Sequence, residues 1–257
     1  LIALTGPSIP LLEAGEYFEG FDTPGKPRAR DGITWDYTAE LSSVRDWKDL
    51  IPGDGFAHLT VDRDHLRRPH AQPDFWPFQT LSLGPVGSNH RISIRAKNMA
   101  IPGVACELFT FREGVKLDEI DIEIVPDDTQ GPGTGHPTGT NGGWSDLRLN
   151  AWADAKGIPP RPGRSLRQSV VDVAGSRRSL MDDAFHTYTI DWRPERVRFY
   201  IDGVLQGHID GVVPDQPSRI IFGMREMPWA GKPDWQGEQT MLVDWVDIEP
   251  IAPGSPE

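Results

Sequence analysis

Residues 117–125 read LDEIDIEIV, with Glu119, Asp121 and Glu123 alternating with Ile120, Ile122 and Ile124. A period of two belongs to a strand with one face buried and the other open. The isoleucines therefore face a core, and the three carboxylates share the opposite face within five residues. Like charges set that close repel. A passive exposed strand mixes signs or uses Thr and Lys, so this one is either a merely polar strand, relieved by a bound cation, or a strand that needs its acids.

The same period recurs along the chain. FAHLTVD (56–62), HRISIRAK (90–97), VACELFTF (104–111), DLRLNAWA (146–153), FHTYTIDW (185–192), RVRFYID (196–202), SRIIFGM (218–224) and TMLVDWVDI (240–248) all alternate. Asp202-Gly203 between RVRFYI and VLQGHI is a hairpin signal, because both turn positions want positive φ. Short strands at regular spacing, punctuated by 27 Gly and 24 Pro, predict an all-β sandwich and not a βαβ sheet. Helical turns are expected only at 44–51 and 62–68. Residues 126–145 and 154–168 are expected as long loops of the kind that often carry function. With no linker composition anywhere, residues 1–257 are taken as one domain.

Charge narrows the function classes. The chain carries 38 acidic and 26 basic residues, a formal net charge of −12. No basic stripe is available to neutralise phosphates, so nucleic acid is not expected as a partner. No apolar run is long enough to cross a membrane. Cys106 is the one cysteine, which excludes an intramolecular disulfide and suits a small buried side chain. Nine Trp exceed what a core needs and suggest stacking surfaces for ring-shaped ligands. The start of the sequence shows no signal peptide; a secreted or periplasmic location, with the signal removed, is the expectation.

Two carboxyl groups about 5–5.5 Å apart are what a retaining glycosidase requires. One attacks the anomeric carbon; the other protonates the leaving oxygen and then activates water. Residues i and i+4 of a strand lie roughly 13 Å apart along the backbone, so twist and inward-leaning glutamates must close the gap. A middle acid would raise the proton affinity of the acid and orient the nucleophile.

EIDIE resembles the signature of glycoside hydrolase family 16, the lichenase and laminarinase group of jelly-roll endoglycanases. IPGVACELFTF (101–111) resembles that family's strand leading into the catalytic one. FHTYTIDWRPERVRFYIDGVLQ (185–206) and VDWVDI (243–248) resemble its FHTY-DW segment and last strand. The resemblance covers residues 90–250 well and 15–85 loosely, through YFEGFD (17–22) and DGFAHLTV (54–61). It implies a concanavalin A-like sandwich with a concave cleft across one sheet. By position Glu119 is the nucleophile, Glu123 the general acid/base and Asp121 the assisting carboxylate.

Phe109 and Phe111 share one face of their strand by alternation. The match to the family strand that supplies an Asn and an aromatic gives Asn150 and Trp152. Trp144, Trp229 and Trp235 are further platform candidates, and Arg95 matches an Arg that the family keeps. His136 is expected to be solvated and His186 structural. Four departures stand out: Leu117 where a Trp is common, Ser93 where an acid precedes the Arg, Gly223 in place of an Asn, and Arg225 in place of an aromatic platform. Arg225 raises an anionic polymer as a substrate. The resemblance also implies a structural calcium at Gly20, Gly55 and Asp244, whose oxygen ligands suit a hard cation; catalysis needs no cofactor.

The expected function is a retaining endo-glycosidase, monomeric, acting on a β-1,3/1,4-glucan-like or related anionic polysaccharide. The alternatives are a non-catalytic carbohydrate-binding jelly roll and a transglycosylase using the same carboxylates. Two converging glutamates speak against the first; the second shares the covalent intermediate.

Overall fold

The structure is a computed structural model and describes residues 16–30, 32–39, 46–62, 78–97, 100–112, 118–126, 144–153, 165–211, 213–227, 229–230 and 237–252. Its elements in chain order are β1 (Tyr17–Glu19), β2 (Thr34–Ala39), α1 (Trp47–Leu50), β3 (Ala57–Asp62), β4 (Phe78–Val86), β5 (His90–Lys97), β6 (Val104–Phe111) and β7 (Asp118–Val125). There follow β8 (Asp146–Ala153), β9 (Ser165–Ser169), β10 (His186–Arg193), β11 (Arg196–Ile201), β12 (Val204–Asp210), β13 (Ser218–Glu226) and β14 (Glu238–Pro250).

Two antiparallel sheets result. The first runs β1-β14-β5-β10-β11-β12, with β3 also paired to β14; the second runs β2-β4-β13-β6-β7-β8-β9. Strands distant in sequence lie side by side, as a jelly roll requires.

Alternation builds the core between the sheets. Ile92, Ile94 and Ala96 of β5 and Tyr188, Ile190 and Trp192 of β10 turn inward from the first. Ile120, Ile122 and Ile124 of β7, with Leu147, Leu149 and Ala151 of β8, meet them from the second. Each large apolar side chain so buried contributes about 1.5–3 kcal/mol. The polar tips of buried tryptophans are satisfied: Trp35 Nε1 donates to the Tyr17 hydroxyl (2.6 Å) and Trp192 Nε1 to the Pro214 carbonyl (2.7 Å). Asp202 and Gly203 take φ of 50° and 75°, the turn their sequence predicts between β11 and β12.

The all-β sandwich expected from the sequence is the fold observed. The strands expected at 90–97, 104–111, 118–125 and 146–153 coincide with β5 to β8. Four others, β1, β2, β4 and β9, come without an apolar alternation strong enough to announce them. The segment 154–168, expected as loop, is corrected at its end: residues 165–168 belong to β9, an edge strand held to β8 by main-chain pairing. Residues 154–164 lie outside the described residues, as does 127–143 of the other expected loop. The helical turn at 44–51 contracts to α1, capped by the Asp46 carboxylate on the Lys48 and Asp49 amides. Asp62 ends β3, so the expected turn at 62–68 does not begin there; 63–68 lie outside the described residues. Cys106 is buried in the core.

Candidate active site

The face of the second sheet turned away from the core carries the acids. Ile120, Ile122 and Ile124 are fully buried, while Glu119 and Glu123 remain partly open and Asp121 is 4% exposed. Registers complete three rows across β6, β7 and β8. Glu119 stands between Phe111 and Trp152, Asp121 between Phe109 and Asn150, and Glu123 between Glu107 and Arg148. On β13, Arg219, Ile221 and Gly223 extend the rows, and Arg225 faces Ala105 just beyond them.

Hydrogen bonding and charge sort the protons on this face. Burial raises the proton affinity of Glu119 above the ordinary carboxylate range, and a hydrogen bond from Asp121 opposes that rise only in part. Asp121 is pushed well above the usual carboxylate range by burial, then by the charges of Glu119 and Glu123, with Asn150 tempering the rise. Asp121 therefore holds a proton more tightly than an ordinary carboxyl and is placed to share it with Glu119. Glu123 is raised to about 7, first by burial and then by Glu107, against the lowering effect of Arg225 and Arg148. Asn150 Nδ2 donates to Glu123 Oε2 (3.1 Å), fixing that carboxyl. The arrangement sets on a single strand one carboxyl bonded by Asp121 and a second raised to about 7, a pair that acid-assisted nucleophilic attack can use.

Of the residues read from the sequence, Glu119, Asp121, Glu123, Phe109, Phe111, Asn150 and Trp152 share this face, and both Phe rings and Trp152 are partly exposed. Arg225 is also near it, but its Nη2 is bound to Glu107 Oε2 (2.7 Å). Its charge is thus met inside the protein, which removes the basis for expecting an anionic polymer. Trp229 is a correction: it is 7% exposed, packs with Ala105, Val125 and Ala230, and lies under the Arg148 guanidinium 3.6 Å from its ring centre. It is a support for Arg148, not an open platform.

Arg95 is a second correction. It lies on β5 in the first sheet, away from the acids, where it binds Asp244 and stacks over Phe185 at 4.7 Å. Ser93 beside it shares a hydrogen bond with Thr189 (2.8 Å). Trp144 sits against Arg177 (5.1 Å), and His186 bridges Asp182 and Asp202 (2.9 and 2.7 Å), the structural role expected of it. Leu117, His136 and Trp235 lie outside the described residues.

Two residues of the face were not anticipated, Glu107 and Arg148. Parity was the available signal, since Glu107 alternates with Phe109 and Phe111, and Arg148 with Asn150 and Trp152.

The calcium positions meet elsewhere. β1 and β3 both pair with the same edge of β14, at 246–248 and 238–243, leaving a gap at Asp244 and Trp245. Gly20 follows β1 and Gly55 precedes β3 at that gap. A Cβ on Gly20 would lie 3.6 Å from one Asp22 carboxylate oxygen, and a Cβ on Gly55 3.7 Å from the other. The Asp22 carboxylate thus lies between the two glycines, an oxygen donor of the kind a hard cation takes; the Asp244 carboxylate is taken up by Arg95.

Comparison with known proteins bears on the whole arrangement. The profile described as "Glycosyl hydrolases family 16" matches residues 88–247. A Beta-glucanase of Bacillus subtilis (strain 168) is 24% identical over 164 residues, covering 60% of this chain and 55% of its own. A Beta-glucanase of Bacillus amyloliquefaciens is 26% identical over 149 residues, 56% of this chain and 49% of its own. The chain thus spans about half the length of the curated relatives it matches. Among solved structures, a β-1,3-1,4-glucanase (lichenase) derived from a mouse hindgut metagenome gives a TM-score of 0.63 at 19% identity, over 92% of this chain and 99% of that one. An apo transglycosylase gives 0.60 at 22% identity, over 96% and 89%. At these identities the structural likeness speaks for the fold.

Proposed function

The chain belongs to glycosyl hydrolase family 16, and from that premise we propose that it is a retaining endo-glycosidase hydrolysing internal β-linkages of a glucan-like polysaccharide. One observation carries the reading. A single strand face presents Glu119 between Phe111 and Trp152, with Asp121 bonded to it, and a second carboxyl, Glu123, raised to about 7 between Glu107 and Arg148.

Glu119 attacks the anomeric carbon while Glu123 gives its proton to the leaving oxygen, so the glycosidic bond breaks as the glycosyl ester forms. Water then opens the ester and gives its proton to Glu123, and Glu119 leaves as carboxylate. Asp121, bonded to Glu119, orients it. Phe109, Phe111 and Trp152 offer rings to the apolar faces of sugars, and Asn150 fixes the acid. The same reading includes a structural hard cation on the first sheet, for which Gly20, Gly55 and Asp22 would supply oxygen, with the Asp244 carboxylate shared with Arg95. It takes no part in the chemistry.

The test is a panel of neutral and anionic polysaccharides, scored for new reducing ends. Cleavage of a neutral β-glucan is expected, with Glu119→Gln and Glu123→Gln each slower by about 10²-fold or more. Wild-type rates in both variants on the best polymer would refute the assignment.

A further inference from the structure

The acid-bearing face of the second sheet holds a fourth carboxyl that the reaction above does not use. Glu107 is 2% exposed, sits directly across the strand pair from Glu123, and is bound by Arg225 at 2.7 Å. Arg225 in turn leaves its buried Nε without a hydrogen-bond partner among the described residues, so Glu107 is what its guanidinium is committed to. Burying an ion pair costs desolvation that is recovered only in part. A core-like apolar pair would serve packing better, so the placement calls for a reason at its neighbour.

We propose that Glu107 and Arg225 are positioning residues, an ion pair with its carboxylate buried and its guanidinium partly open, that fixes the charge facing the acid/base glutamate through both halves of the reaction. The proposal rests on the retaining reading above. Its logic is that the acid must hold a proton in the first half and accept one in the second. In that second half Glu119 is esterified and carries no charge. Loss of the nucleophile's charge on esterification lowers the affinity of Glu123 when it must act as a base, and a fixed neighbour sets the level from which that change starts. The groups facing Glu123 are Glu107 from β6, Arg225 from β13, Arg148 and Asn150 from β8, and Glu119 and Asp121 from its own strand. Among the charges that move the titration of Glu123, Glu107 weighs most, ahead of Arg225, Arg148 and Glu119. That ordering agrees with the geometry.

The experiment reads the glutamates directly, so it does not depend on finding a substrate. Carboxyl carbons are labelled in the full chain, Glu123 is assigned by loss of its signal in Glu123→Gln, and the titration is followed by NMR. Glu107→Gln leaves Arg225 uncompensated beside Glu123, and the midpoint of Glu123 is expected to fall by about 1 pH unit. Arg225→Gln removes the cation from between two carboxylates, so their first shared proton is expected to bind at a higher pH than in the wild type. The double variant is expected to return Glu123 at least halfway from the Glu107→Gln value. If Glu107→Gln does not fold, the upward shift in Arg225→Gln decides the matter alone. Unmoved midpoints in the folded variants would overturn the proposal, whatever the polysaccharide panel shows; a panel without turnover would count against the glycosidase reading only.

Discussion

Glu123 carries a stability cost as well as a catalytic role. Its affinity in the folded protein is about 7 against 4.5 when unperturbed. Between those values the folded chain binds more protons than the unfolded one, so stability falls as pH rises through that window. Below about pH 4.5 both states are protonated and the effect is absent. Glu123→Gln stays neutral throughout. The variant is therefore expected to match the wild type at acid pH and to exceed it above pH 7, by on the order of 1–3 kcal/mol. Denaturant titrations at pH 4.5 and 8 measure this; equal stabilities at pH 8 would count against a raised proton affinity at Glu123. At this scale the sequence was informative about which acids share a face, because alternation fixes that. It was silent about Arg95, since parity says that a side chain points outward but not from which of two sheets. Glu107 was hidden for a different reason: one acid between Cys106 and Leu108 looks unremarkable until the register sets it against Glu123.

At the scale of the element, β13 shows why one departure from the family pattern exists. Gly223 stands where a sugar-contacting Asn is usual. A Cβ built there would lie 2.1 Å from the Gln79 carbonyl oxygen and 2.8 Å from Thr80 Cα, both main-chain atoms of β4 that cannot swing aside. Restoring the family residue by Gly223→Asn is thus expected to push β4 from β13 and destabilise the protein by about 1–3 kcal/mol, without tightening the binding of any glucan. Thermal melts with binding isotherms on the same preparation check both halves; a stable variant with tighter binding would show that β4 yields. The strong strands were legible from apolar alternation, β9 was not. SLRQS has one apolar residue, and its place at the sheet edge comes from main-chain bonds to β8, reinforced by Gln206 of β12. That side chain reaches across to the Val171 main chain, donating to its carbonyl (3.0 Å) and accepting from its amide (3.0 Å).

At the scale of the whole molecule, the two sheets divide the work. The second carries the acids, and the first closes the other side of the core. The first also contains an interrupted edge, where β1 and β3 share one side of β14 without pairing at Asp244 and Trp245. No hydrophobic pattern announces such a gap; it follows from which strands meet, which the sequence does not state. A cation bound by the oxygens around Asp22 would tie the two short partners together there. It would bind the folded chain alone and so stabilise it by mass action. Added calcium is therefore expected to raise Tm of chelator-treated protein by several degrees, and Asp22→Ala to abolish the gain. Because the junction belongs to the sheet opposite Glu119 and Glu123, kcat on the best polymer should be the same with and without chelator at a temperature well below Tm. Calorimetry and initial rates on one sample separate these outcomes. A Tm indifferent to calcium in the wild type would leave the junction to the Arg95–Asp244 pair, and a kcat that fell with chelation would mean the first sheet shapes the catalytic face.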